Sequence, residues 1–193
     1  MATITDDANS CVRRGMQQFR EGKVAESLEE FAEAMKKDPR IEPYLWQQGI
    51  SQYYAKQYAE GRRQFELHRV VNPHDVENAA WHFLCVAQVD GLSKARRSLI
   101  EIDTARDPRV PLAQVYALYA GDGSAAEILA AAAEADNAQA TMYAHLYLGL
   151  YYEVTGEPAK AETHLRQAVA AKLENAYMHD VAKVHMQQRN WMP

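Results

Sequence analysis

Residues 15–39 read GMQQFREGKVAESLEEFAEAMKKDP, and residues 49–73 read GISQYYAKQYAEGRRQFELHRVVNP. Set one over the other, Gly15 falls on Gly49, Phe31 on Phe65 and Pro39 on Pro73, each a step of 34 residues. A fixed period of roughly 20 to 50 residues marks a chain built from stacked copies of one supersecondary unit, none of which buries its apolar face alone. A small residue where helices cross closely, an aromatic ring beside it and a proline that stops the second helix define the unit as an antiparallel helix pair. In the first copy Gly15 and Phe19 belong to the leading helix, Gly22 makes the turn, and Phe31 and Ala34 line the second helix before Asp38-Pro39 ends it. In the second copy Trp46, Gly49 and Tyr53 precede Tyr58, Phe65 and the stop at Asn72-Pro73.

The pattern continues outward. Trp81, Leu84, Ala95 and Leu99 keep equivalent positions in a third copy, with Cys85 where the small glycine belongs and acting as a small hydrophobe. A shorter pair breaks the period: Pro111 to Ala120, a turn at Gly121-Asp122-Gly123, and a helix opened by the capping box Ser124 to Glu127. Tyr147, Leu148, Gly149 and Tyr152 then restore it, with a turn at Gly156, Pro158 suited to a first helical turn, and Ala161, Leu165 and Ala168 on the next helix. A final amphipathic stretch, Asn175 to Gln188, has the character of a terminal capping helix. The sequence therefore predicts an all-α chain with a disordered tail at 1–8 and one domain at 9–193. Its repeats fall at about 8–41, 42–75 and 76–109, with a degenerate pair at 110–136, a repeat at 137–174 and a capping helix at 175–189.

Composition narrows the functional classes. Hydrophobic residues make up 48% and charged residues 24% of the chain, enough apolar material for a packed core. A net charge of -5 argues against a nucleic-acid partner, whose phosphates must be neutralised by Lys and Arg. The two cysteines, Cys11 and Cys85, stand in no zinc or redox spacing, which fits a reducing compartment. The opening MATITDDANS reads as neither signal nor transit peptide, and the Ala-rich run Ala125 to Ala135 is short and holds Glu127 and Glu134. A cytoplasmic protein without a membrane anchor is expected.

From Cys11 to Ala171 the chain resembles the tetratricopeptide-repeat family, which implies a right-handed α-solenoid of antiparallel helix pairs with a C-terminal capping helix. More narrowly, two regular repeats, a Trp-bearing third, a short irregular pair and a final repeat containing YLGLYYEVTG resemble the NlpI-type adaptor lipoproteins. That likeness implies a non-enzymatic adaptor that dimerises through its helical body and presents partners to other proteins. It does not extend to a lipid anchor, because Asp7, Ala8, Asn9 and Ser10 precede Cys11 where an apolar signal is required. The family's carboxylate clamp is not matched either: its positions are held by Val12, Met16, Gln47, Ala79 and Phe83, none of which carries charge.

In such a fold the concave surface comes mainly from the leading helices, here Val12, Met16 and Phe19, then Trp46, Ile50 and Tyr53, then Ala80 and Leu84. The expected function is a protein-protein adaptor or scaffold holding a partner segment in this apolar, aromatic groove. The alternative is a self-associating structural protein whose groove is filled by its own C-terminal helices or by a second copy, as in a homodimer. Arg62 and Arg63 recur as Arg96 and Arg97, so they form either an anion-binding strip or a solvated face paired with Glu66 or Glu101. The seven histidines, His68, His74, His82, His145, His164, His179 and His185, show no H-E-x-x-H spacing and read as structural or surface residues, with no metal. Gly121-Asp122-Gly123-Ser124 lacks both the P-loop lysine and a preceding strand, so no nucleotide or other cofactor is expected. Cys85 reads as an inert core thiol, and nothing in the sequence forms a catalytic constellation.

Overall fold

The computed structural model describes residues 7–171, 173 and 175–192. Over these residues the chain is all-helical with no strand, and consecutive helices pack as adjacent pairs. Helix α1 (Ala8–Arg20) starts where the Asp7 carboxylate accepts the Ser10 N–H at 2.8 Å. Asp7 and Ala8 thus belong to a capped helix start and not to the expected tail, because one carboxylate satisfies donors the first turn leaves open. The rest of that tail, residues 1–6, lies outside the described residues. Helix α2 (Val24–Lys37) returns along α1 and ends at Asp38, followed by a 3-10 helix at Pro39–Tyr44. Helices α3 (Trp46–Tyr54) and α4 (Tyr58–Val71) repeat the arrangement.

The equivalence of the two pairs is visible atom by atom. A methyl group added at Gly15 would lie 3.0 Å from the Phe31 ring, and one added at Gly49 would lie 2.7 Å from the Phe65 ring. The glycines are required because each ring occupies the space a side chain would fill.

Helix α5 (Val76–Asp90) is the centre of the molecule: every residue from Val76 to Val86 is buried, and α3, α4 and three later helices pack on it. Neighbours on all sides leave it no face to give to water, so Glu77, Asn78 and His82 are enclosed along with its apolar residues. Its partner α6 (Leu92–Arg97) has only six residues. The third pair departs here from the expected repeat, since Leu99 lies beyond the helix in an irregular segment that holds a 3-10 turn at Thr104–Arg106 and Pro108. Helix α7 (Leu112–Ala120) ends at Gly121 in the left-handed conformation, and α8 (Ala125–Ala135) opens with the Ser124/Glu127 capping box. Helix α9 (Ala138–Val154) pairs with α10 (Pro158–Ala170).

Helix α11 (Tyr177–Gln188) packs on α10, as a cap should, but also on α9 and on α1. Its Asp180 accepts from Arg20 Nε at 2.9 Å, and its Gln188 amide donates to the Gly22 carbonyl at 3.3 Å. The last helix therefore closes onto the first. One contiguous apolar core runs from Phe19 to Met186. No helix among the described residues is long and apolar enough to cross a membrane.

Candidate functional site

The groove expected along the leading helices is not an open surface. Phe19, Ile50, Tyr53 and Leu84 are all buried, and only Val12, Met16 and Trp46 keep partial exposure. Part of the groove is covered by α11, whose Tyr177 stacks on Phe19 at 5.7 Å between centroids and meets Trp46 edge-on at 5.2 Å, while Tyr53 packs edge-on against Trp81 at 5.4 Å. His185 lies against Tyr54, with Nδ1 3.0 Å from the hydroxyl. Aromatic residues on the leading helices thus serve the core of the chain's own fold, a use that periodicity alone does not separate from ligand binding.

The four arginines go to separate partners. Arg62 donates to Glu66 at 2.8 Å and lies 3.6 Å from Asp90, and Arg63 lies 3.7 Å from Glu42. Arg96 donates to the Tyr151 hydroxyl on α9 at 2.9 Å, and Arg97 bonds Ser93 within its own helix. Of the pairings read from the sequence, Arg62 with Glu66 is present. Among the histidines, His145 and His164 hydrogen-bond through Nδ1 atoms 2.9 Å apart, and the ring nitrogens of His179 lie 2.7 and 2.9 Å from the Leu173 and Val169 carbonyls. Among the described residues, no group of three or more His, Cys, Asp or Glu side chains is placed to hold a metal. Burial raises the Cys85 thiol well above its usual range, which disfavours the reactive thiolate.

Polar chemistry gathers elsewhere, at the N-terminal end of α5. Asp75 caps α5 by accepting the Glu77 N–H at 3.1 Å. Arg109, in the segment before α7, donates to Asp75 Oδ1 and Asp107 Oδ2 at 2.6 Å each, to Asp107 Oδ1 at 2.8 Å, and to Glu77. Asp107 also accepts the Val76 N–H at 3.1 Å, and the Tyr147 hydroxyl of α9 donates to Glu77 at 2.7 Å. Burial, aided by the charge of Asp75, pushes the Glu77 carboxyl up to about 7 against the opposing pull of Arg109. Burial also opposes the charge on Asp107, but the Arg109 fork holds that carboxyl below its usual range. Three carboxylates thus share one guanidinium.

A cavity of about 270 Å³ opens beside this cluster, lined by Trp46, Phe65, His68, Asn72, Asp75, Glu77, Asn78, Trp81, Arg109 and Met178. A second, of about 440 Å³, shares Trp46, Glu77 and Met178 with it and continues past Gln139, Met142 and Tyr143. A third, of about 280 Å³, shares Arg109 with the first and Gln139 and Tyr143 with the second. Together they form one cleft between the start of α5, the start of α9 and the start of α11. Three buried side chains lining the first cavity have a polar atom with no partner: His68 Nε2, Asn78 Oδ1 and Trp81 Nε1.

Sequence reasoning missed this cluster, although one signal was present: Asp-Pro-Arg occurs at both 38–40 and 107–109. Both copies fold into the same local fork, with Arg40 donating to Asp38 at 2.8 and 3.0 Å. Only the second lies where other carboxylates converge. Compared with models of known families and with curated proteins, the chain matches none.

Proposed function

We propose that this chain is a non-enzymatic adaptor of the tetratricopeptide type that holds a segment of another polypeptide in the cleft between α5, α9 and α11. The equivalent glycine-to-ring packing at Gly15/Phe31 and Gly49/Phe65 supports the repeat reading. The cleft supports the binding reading, because Tyr177 of α11 packs on Phe19 and Trp46 of the apolar groove and the cleft combines aromatic walls, at Trp46 and Tyr143, with a few convergent polar groups. The observation that carries the proposal is that three adjoining cavities share lining residues, giving an elongated site suited to an extended chain.

Peptides selected from a random displayed library on the wild-type protein test the proposal when re-measured on Gln139→Arg, an exposed position in the shared wall. Affinity at least tenfold weaker, with an unchanged circular dichroism spectrum, is the expected result. Equal affinity puts the peptide site elsewhere, and failure to select any peptide removes the adaptor reading.

A further inference from the structure

Away from the cleft, the face between α9 and α10 carries two nitrogen ligands side by side. His145 of α9 and His164 of α10 are 19 residues apart in sequence, outside any one-helix spacing, yet their Nδ1 atoms lie 2.9 Å from each other. The approach is fixed from several sides. Gly149 lets the two helices cross closely, since a methyl group there would lie 2.6 Å from the Leu165 side chain. The Tyr152 ring stacks on His164 at 5.4 Å between centroids with planes 18° apart, and Lys160 Nζ lies 5.0 Å from the Tyr152 centroid. Lys160 is paired with Glu157, which offsets its charge at the edge of the site. Burial lowers the hold of both imidazoles on a proton, and at His145 the neighbouring His164 adds to the effect. Both rings are therefore neutral at neutral pH, the form in which histidine ligates metals. Each side chain is only half-buried, so small ions reach the pair.

We propose that the Nδ1 atoms of His145 and His164 form a two-histidine site for a square-planar or tetragonal divalent ion, Cu(II) or Ni(II). An ion bonded to both nitrogens at ~2.05 Å, the usual metal–imidazole length, subtends them at about 90° when they are 2.9 Å apart. Neighbouring ligands of a square-planar or tetragonal ion meet at that angle, whereas the tetrahedral arrangement of zinc would need the nitrogens about 3.3 Å apart. In the hydrogen-bonded pair one Nδ1 carries the proton and the other accepts it. On binding, the donor ring moves its proton from Nδ1 to Nε2, so both Nδ1 lone pairs become ligands with no net loss of a proton. The half-exposed rings have room to turn those lone pairs from each other toward the ion. Among the described residues no third His, Cys, Asp or Glu joins the two, so the remaining coordination positions fall to water. The site is independent of the cleft, but a bound ion ties α10 to the helix that carries Tyr143 into it.

The test loads the full chain with one equivalent of Cu(II) and counts the coordinated imidazoles by pulsed electron paramagnetic resonance. Two are expected in the wild type, fewer in His145→Asn and in His164→Asn, and two again in His74→Asn, which removes a histidine elsewhere on the surface. One imidazole or none in the wild type overturns the proposal, whether or not the variants fold. A count of two that survives His145→Asn or His164→Asn places the ion on other histidines and overturns it as well. Calorimetric titration with Ni(II) and Zn(II) then checks the geometry. Ni(II) is expected to bind more tightly than Zn(II) and to lose at least tenfold in affinity in either variant. Zn(II) binding as tight as Ni(II) overturns the square-planar assignment. An ion that binds only the folded chain also raises its melting temperature, so a wild-type melting temperature unmoved by millimolar Ni(II) counts against the site.

Discussion

At Gly49 a single hydrogen atom decides how closely two helices approach. The Phe65 ring that fills the space is itself stacked on Trp81, 6.4 Å away with planes 21° apart, so it has no free direction in which to yield. Gly49→Ala is therefore expected to destabilise the protein by about 1–3 kcal/mol, the usual cost of overpacking. Thermal unfolding followed by circular dichroism measures this, and the double variant Gly49→Ala/Phe65→Leu is expected to recover part of the loss. Strict additivity of the two changes would show that the ring and the glycine are not coupled. The same reasoning separates Arg40 from Arg109. Arg40 is 89% exposed and grips only Asp38, so Arg40→Ala is expected to leave the melting temperature unchanged. Arg109 bonds three carboxylates, and Arg109→Ala strands them in a largely enclosed site, at an expected cost of about 3 kcal/mol.

Helix α11 is the element on which the groove depends, and its docking is only partly apolar. Val181, Ala182 and Val184 are buried on one face, while Glu153 of α9 binds Arg189 just past the helix end and lies 3.5 Å from His185 Nε2. Burial works against a charge on Glu153, but the nearby His185 ring and the hydrogen bonds from Arg189 hold its carboxyl at about 2, below the ordinary 4.5. Burial keeps His185 below its ordinary value of 6.5, Glu153 offsetting part of the effect. The signs agree. As pH falls below about 6.5 the unfolded histidine gains a proton that the folded one refuses, and from about 4.5 toward 2 the unfolded carboxylate does the same. Both contributions to stability are present at neutral pH and are lost with acid. Glu153→Gln is expected to cost about 2 kcal/mol at pH 7 and progressively less toward pH 2, as melting temperatures across that range would record. Tyr177→Ala removes the ring between Phe19 and Trp46, and faster amide exchange in α11 than in α5 is expected.

For the molecule as a whole, α11 packs back onto α1 around one contiguous core, and a cleft stays open beside the start of α5. The helix pairs were legible because their determinants are local. The capping box at Ser124 and the prolines at 39 and 73 act within a turn or two of where they are read, and Gly15 and Gly49 meet Phe31 and Phe65 on the very next helix. Where local signals conflicted, the reading lost accuracy: Leu99 matched the repeat, but the helix that should have carried it ends at Arg97. Of the groove residues read from the sequence, Trp46 lines the cleft, but its polar cluster was not legible. Asp75 and Arg109 are 34 residues apart, Glu77 and Tyr147 are 70 apart, and His68 gains its meaning from the carbonyl of Pro43 and the carboxylate of Asp75. The sequence by itself determined where helices start, stop and turn back, since backbone caps and close-packed glycines are short-range requirements. Only the tertiary structure decided which apolar faces cover one another and which charges meet, because burial and desolvation depend on neighbours that the chain brings together from distant positions.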